Sequence, residues 1–300
     1  MDHGRFQRPS RFALVGAGSV GTAVSVLLRR RGHSIVAVYS RSVASAERAA
    51  RLTAAQVVHS LDALPSVDAI LVGTSDVVIP QIAMALEGAT SAGSIRVVHF
   101  AGAVGIRYFE PLIGSGSAAA ALHPVQACPD IDTAIERLPG SAWGVTASRG
   151  EEAWAASFVE ELDGLPVPVA EEDRAMWHAA AVTTSNGIAS LLALGESMLI
   201  AIGIDQPEAV LGPLAAGAVA NASAGGGGGA TLTGPVVRGD VGTIRMHLEA
   251  LDERAPSLLP AYVLAVRSIL SAALSADRIE TDSAGDIAEV LAPFSSEADR

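Results

Sequence analysis

The sequence predicts an α/β chain in two parts: a doubly wound parallel sheet, then an all-α region. Three observations carry that prediction. Short apolar runs alternate with helical patterns through roughly the first half, as βαβ units require. Each run is nearly continuous rather than alternating, as in strands covered on both faces. Beyond Asp173 strand signals vanish, and Ala, Leu, Met and Ile dominate.

Taken in order, the expected strands are residues 12–15, 34–39, 69–72, 95–99, 119–122 and 144–146. Helical segments are expected at 20–31, 44–52 and 79–86. A last strand, 167–170, follows the turn Asp163-Gly164 and precedes Glu171-Glu172-Asp173, acidic residues that suit a helix N-terminus. Helices are then expected at 174–202, 207–222, 239–251 and 260–276. The boundary falls between Leu162 and Asp173 and is drawn as two domains, 1–168 and 169–300. Residues 225–229, five glycines, read as a flexible loop, with a lid over the site as the functional alternative.

Composition excludes several classes. Half of the 300 residues are hydrophobic and 17% are charged, which excludes a disordered chain. The net charge is −12 and no basic cluster exceeds Arg29-Arg30-Arg31, so the footprint that nucleic acid requires is absent. Cys128 is the one cysteine, which fits a reducing compartment and a cytoplasmic location. All 20 basic residues are Arg, which excludes Schiff-base chemistry, a lysine acid and a P-loop lysine. Residues 12–28 form an apolar run behind Arg5, Arg8 and Arg11. Three spaced glycines and the arginines at its end mark it as strand, turn and helix rather than signal peptide. Residues 175–202 are long enough to span a bilayer but carry His178, Thr183, Asn186 and Glu196. A helix this apolar is expected to be buried in a subunit interface, so a homodimer is expected and a membrane is not.

Gly16-Ala17-Gly18-Ser19-Val20-Gly21 is G-x-G-x-x-G, and it sits between an expected strand and an expected helix. Gly16 permits the tight turn, Gly18 lets backbone approach a pyrophosphate, and Gly21 lets helix and strand pack closely. Ser19 and Val20 open the helix whose N–H groups face the anion. The next strand ends in Ser40-Arg41-Ser42 where NAD-binding chains carry an acidic residue. A guanidinium and two hydroxyls suit a 2′-phosphate, so the cofactor read is NADP. Thr74 and Ser75 end the strand 69–72 and are expected beside the cofactor ribose; Asp76 follows as a possible helix cap.

These segments combine with His99-Phe100-Ala101-Gly102-Ala103, His123-Pro124-Val125-Gln126, the run from His178 to Asn186, and Thr233-Gly234-Pro235-Val236-Val237-Arg238-Gly239-Asp240. Together they resemble a bacterial family that pairs a Rossmann-like domain with a C-terminal helical domain of unknown function. That family lies in the superfamily of pyrroline-5-carboxylate reductase, ketopantoate reductase and 6-phosphogluconate dehydrogenase. The likeness spans about residues 10–275, and the segment 233–240 is its most specific part. Where many relatives have Ser after the His that ends the strand 95–99, this chain has Phe100-Ala101. The resemblance implies an NADP-binding oxidoreductase.

Hydride transfer to C=O or C=N also needs a proton donor or an electrostatic clamp on the heteroatom. Related enzymes place a Lys on the first helix of the C-terminal domain; this chain has none. His178 and Asn186 occupy that helix eight residues apart, about 80° around the axis, and are expected to lean into one cleft. His123 follows a strand at the C-terminal edge of the sheet, where ligands bind in open α/β folds. Each histidine also has a purely structural alternative. Arg238 and Asp240 are expected to pair with each other, with Arg238 facing the cleft towards a substrate carboxylate as the alternative, and Cys128 is expected to be inert packing. The function expected is an NADPH-dependent reductase of a small carbonyl or imine acid. A non-catalytic dinucleotide-binding or sensor protein is the alternative, and a deazaflavin-dependent NADP reductase a third.

Overall fold

The computed structural model describes residues 9–89 and 94–294. Arg5 and Arg8, read above as preceding the first strand, lie outside the described residues. Eight strands form one sheet in the order β3-β2-β1-β4-β5-β6-β7-β8. They are β1 (Arg11–Val15), β2 (Ser34–Tyr39), β3 (Gln56–Val57), β4 (Ala69–Val72), β5 (Arg96–His99), β6 (Ala118–Pro124), β7 (Ala142–Ala147) and β8 (Leu165–Pro168). The connecting helices are α1 (Ser19–Arg30), α2 (Val43–Thr53), α3 (Ile79–Ala89), α4 (Glu110–Gly114), α5 (Ile131–Arg137) and α6 (Glu152–Glu161).

Apolar residues fill both faces of the sheet. Phe12, Leu14, Val38, Trp143 and Phe158 belong to one cluster, with Ala23 and Val24 of α1. Val15, Ile70, Val72 and Phe109 belong to the other, with Ile79 and Leu86 of α3. Burial on both faces is why these strands read as unbroken apolar runs.

The sheet is parallel, as expected, except at one pairing. β6 and β7 pair antiparallel, with His123 opposite Gly144 and Pro124 opposite Trp143. The chain leaves β6, forms α5, and re-enters the sheet at the edge it left, so no crossover is made. α6 then supplies a crossover, and β8 pairs parallel with β7. The last strand also lies earlier than expected, at Leu165–Pro168.

The second part is helical: α7 (Arg174–Ala201), α8 (Pro207–Ala224), α9 (Val241–Arg254), α10 (Leu259–Ser275) and α11 (Thr281–Leu291). Its core gathers Val236, Ile244, Leu248, Val263, Val266, Leu270 and Ile287. The glycine run forms turns after α8, with Gly226 and Gly227 at positive φ. By contacts, one compact unit ends at Thr183 and the other begins at Thr184. The division therefore falls inside α7, because the first turns of that helix are tied to the sheet: Arg174 donates to three carbonyls there. Among the described residues one helical stretch, Pro256–Ser275, is long and apolar enough to cross a membrane. Its Leu259, Val263, Val266 and Leu270 are buried in the core of the second unit.

Candidate active site

The turn after β1 is built by glycines that touch. Gly16 stands at φ +83° and its N–H donates to Tyr39 O at 2.7 Å. Gly18 N–H donates to Gly73 O at 3.0 Å. A Cβ on Gly18 would lie 2.6 Å from Gly73 O, and one on Gly21 would lie 2.6 Å from Gly73 Cα. Gly73 is thus the fourth member of the cradle, and sequence reasoning missed it; its signal is a lone glycine directly after the run 69–72. α1 begins at Ser19 with no side-chain cap and no acidic residue in its first turn. The unbonded N–H groups of such a turn are an anion site.

The far end of the cradle is the N-terminus of α2. Ser42 caps that helix, accepting from Ser45 N at 3.3 Å, so one of the two expected hydroxyls already has a structural partner. Ser40 and the exposed Arg41 stand beside it. A cavity of about 310 Å³ joins the two ends, lined by Gly16, Gly18, Ser40, Arg41, Ser42, Ser45, Gly73, Thr74 and Ser75 among others, with no carboxylate in its wall. Thr74 Oγ1 is buried there without a hydrogen-bond partner. The glycine cradle, the uncapped helix and this orphaned hydroxyl fit a dinucleotide.

Three histidines mark the sheet edge beyond the cavity. Register places His99 of β5 beside Val72 and Ala121. At about 4.8 Å per strand, the ends of β4 and β6 stand roughly 10 Å apart. His99 is fully buried; its Nδ1 accepts from Ala101 N at 3.3 Å and its Nε2 donates to Gly105 O at 3.0 Å. Burial pushes its pKa down to about 4, so it is a neutral brace for the loop 100–105.

His123 is half-buried at the end of β6, and the Trp177 indole N–H donates to its Nδ1 at 3.1 Å. Burial first, then the neighbouring His178 and Arg174, lowers its pKa to about 4. The His178 ring meets it edge to face at 5.2 Å, with Nδ1 buried and unpartnered. His178 also lies against Gly102, where a Cβ would come within 2.0 Å of Nδ1. The two candidate histidines are therefore together. Asn186 is exposed, belongs to the second unit, and stands about 12 Å along α7 from His178 at 1.5 Å per residue.

Three supporting residues were missed by sequence reasoning. Arg174, 1% exposed, donates to the carbonyls of Ala101, Ala121 and Gly144. Glu171 accepts from Ile106 N at 2.7 Å and Arg107 N at 3.2 Å. Trp177 packs on Gly144. Asp76 opens a 3-10 turn, and its Oδ2 accepts from Ala103 N at 3.2 Å. Asp240 caps α9, accepting from Thr243 N and Oγ1; these bonds first, and then the charges of Arg238 and His247, lower its pKa, while no Arg238–Asp240 contact within 4 Å is found among the described residues. Burial raises the pKa of the half-buried Cys128 thiol.

The family model for a Rossmann-like domain matches residues 3–124. The model for a domain of unknown function, DUF2520, matches residues 141–269. The chain joins a Rossmann-like domain to a DUF2520 domain. Among solved structures, this Rossmann-like/DUF2520 chain is similar to a candidate NADP oxidoreductase of Bacteroides fragilis. They share 25% identity over 87% of this chain and 98% of that one, at a TM-score of 0.72. It shares its fold with a reductive aminase of Aspergillus terreus solved with NADPH and ethyl-5-oxohexanoate, at 17% identity, coverage of 94% and 99%, and a TM-score of 0.62. It shares its fold too with the 1-pyrroline-5-carboxylate reductase of Streptococcus pyogenes, at 14% identity, coverage of 88% and 99%, and a TM-score of 0.58. No curated protein matches it.

Proposed function

We propose that the chain is a cytoplasmic NADPH-dependent oxidoreductase that reduces a small carbonyl or imine acid. The observation that carries this is the succession along one sheet edge: an uncapped helix over a glycine cradle, then paired histidines at the end of β6. The solved neighbours support the reaction class, since they include an NADPH-bound reductive aminase and a reductase of a cyclic imine acid.

Bound NADPH would supply a hydride, leaving as NADP⁺. The chain's residues bind, orient and neutralise. N–H groups of the first turn of α1 (Ser19, Val20 and Gly21) would hold the pyrophosphate, and the Gly16, Gly18 and Gly73 backbones would leave room for it. Arg41 with Ser40 and Ser42 would neutralise a 2′-phosphate, and Thr74 and Ser75, in the same cavity wall, would serve the ribose. His178 gives the proton that the substrate heteroatom takes up, with His123 beside it. Asn186, exposed in the second unit, has no part in this step.

His178→Ala is the direct test. NADPH affinity should stay within a few fold, while kcat falls by about 10²–10⁴. Asn186→Ala should do less. An unchanged kcat in His178→Ala would remove the histidine from the chemistry.

A further inference from the structure

The groups around His123 decide which of its ring nitrogens carries the proton. An indole N–H is a donor only. Because the Trp177 indole N–H donates to His123 Nδ1 at 3.1 Å, that nitrogen is the acceptor, and the single proton of the neutral ring sits on Nε2. We propose that Trp177 is a positioning residue that locks His123 as the Nε2–H tautomer, making it a fixed neutral hydrogen-bond donor to the substrate heteroatom.

The indole is held in place for this. Gly144 lies directly across the β6–β7 ladder from His123. A Cβ on Gly144 would come within 2.6 Å of Trp177 Cε2 and Nε1, so the missing side chain is the slot through which the indole reaches the imidazole. One turn earlier on α7, the Arg174 guanidinium donates to Gly144 O and to Ala101 O, fixing the helix over the same strand ends. His178, Arg174 and Asp76 are the charged or titratable neighbours of the ring, and burial with the first two keeps it uncharged at neutral pH. A neutral imidazole does not give up its last proton at accessible cost. His123 therefore stabilises negative charge as it develops on the heteroatom, in the manner of an oxyanion-hole donor, beside the proton donor assigned to His178. The inference rests on the proposed reduction for what the donor acts on; the tautomer itself can be read without substrate.

Nitrogen-15 NMR of histidine-labelled full-length protein at neutral pH tests it, with the His123 signals assigned by their loss in His123→Gln. Wild type should show a protonated Nε2 and an unprotonated Nδ1. Trp177→Phe, which keeps a ring but removes the donor, should move both signals towards the averaged values of exchanging tautomers. His99, braced by Ala101 and Gly105, should not change and so reports an intact fold. In the reductase assay the same variant should lose about tenfold or more in kcat with NADPH affinity unchanged. A protonated Nδ1 in wild type overturns the inference, whether or not the variant folds, and so does an unchanged His123 pattern in a folded Trp177→Phe. Absence of hydride transfer by wild-type protein with the Nε2–H tautomer would instead overturn the reductase reading.

Discussion

Arg41 stands exposed at the end of the cavity, with Ser42 and Ser45 tied together in the cap of α2. Among the described residues that line this cavity, its guanidinium is the one charge available to a 2′-phosphate. Calorimetric titration should find NADPH bound more tightly than NADH. Arg41→Ala should narrow that preference by about 1–3 kcal/mol, the scale of a charge-assisted contact. Equal affinity of the wild type for both cofactors would contradict the assignment. Gly16, Gly18 and Gly21 were legible in the sequence as a spaced glycine motif between an apolar run and a helical pattern, although the atoms they approach belong to Tyr39 and Gly73. Arg174, Glu171 and Trp177 were not, since their partners lie 30 to 73 residues off in sequence. Trp177 in particular reads as one more apolar residue until β7 brings Gly144 opposite His123.

At the level of elements, the first turn of α1 meets the residue after β4 glycine to glycine, Gly21 against Gly73. A methyl on Gly73 would lie 2.5 Å from Gly16 O and 2.9 Å from Gly21 Cα, both backbone atoms. Gly73→Ala should therefore open the cradle, with a stability loss of about 1–3 kcal/mol and NADPH affinity down at least tenfold. Gly285→Ala in α11, where an added methyl meets nothing within 4 Å, should instead stabilise by up to about 1 kcal/mol. Thermal melting with and without NADPH checks both; a Gly73→Ala protein that melts and binds like wild type would show the packing to be slack. The long periodic helices and the two-face-buried strands were legible as elements. The two-residue β3, the short α4 and α5, α6 and α11 were not, and neither was the reversal at β7. That reversal depends on where the chain re-enters the sheet, which no local pattern encodes.

For the whole molecule, α7 and α8 leave large apolar side chains in water. Met176, Leu191, Ile200, Val210 and Leu214 are each more than half exposed in the single chain. We propose that a second copy of the chain covers them, since a surface of this kind is rare on a monomer. Light scattering at micromolar concentration should give twice the 30.4 kDa chain mass, and a species at 30.4 kDa would contradict the dimer.

Hydride transfer itself is tested most directly with NADPH deuterated at the transferable position of the nicotinamide. The protein is incubated with this cofactor and a panel of small keto and imine acids, and the products are weighed by mass spectrometry. One deuterium on the reduced carbon of at least one product, with that product formed more slowly by His178→Ala but still carrying the label, is the result expected. Tight NADPH binding with no deuterium leaving the cofactor for any member of the panel would contradict it, and would leave a dinucleotide-binding protein that does no chemistry.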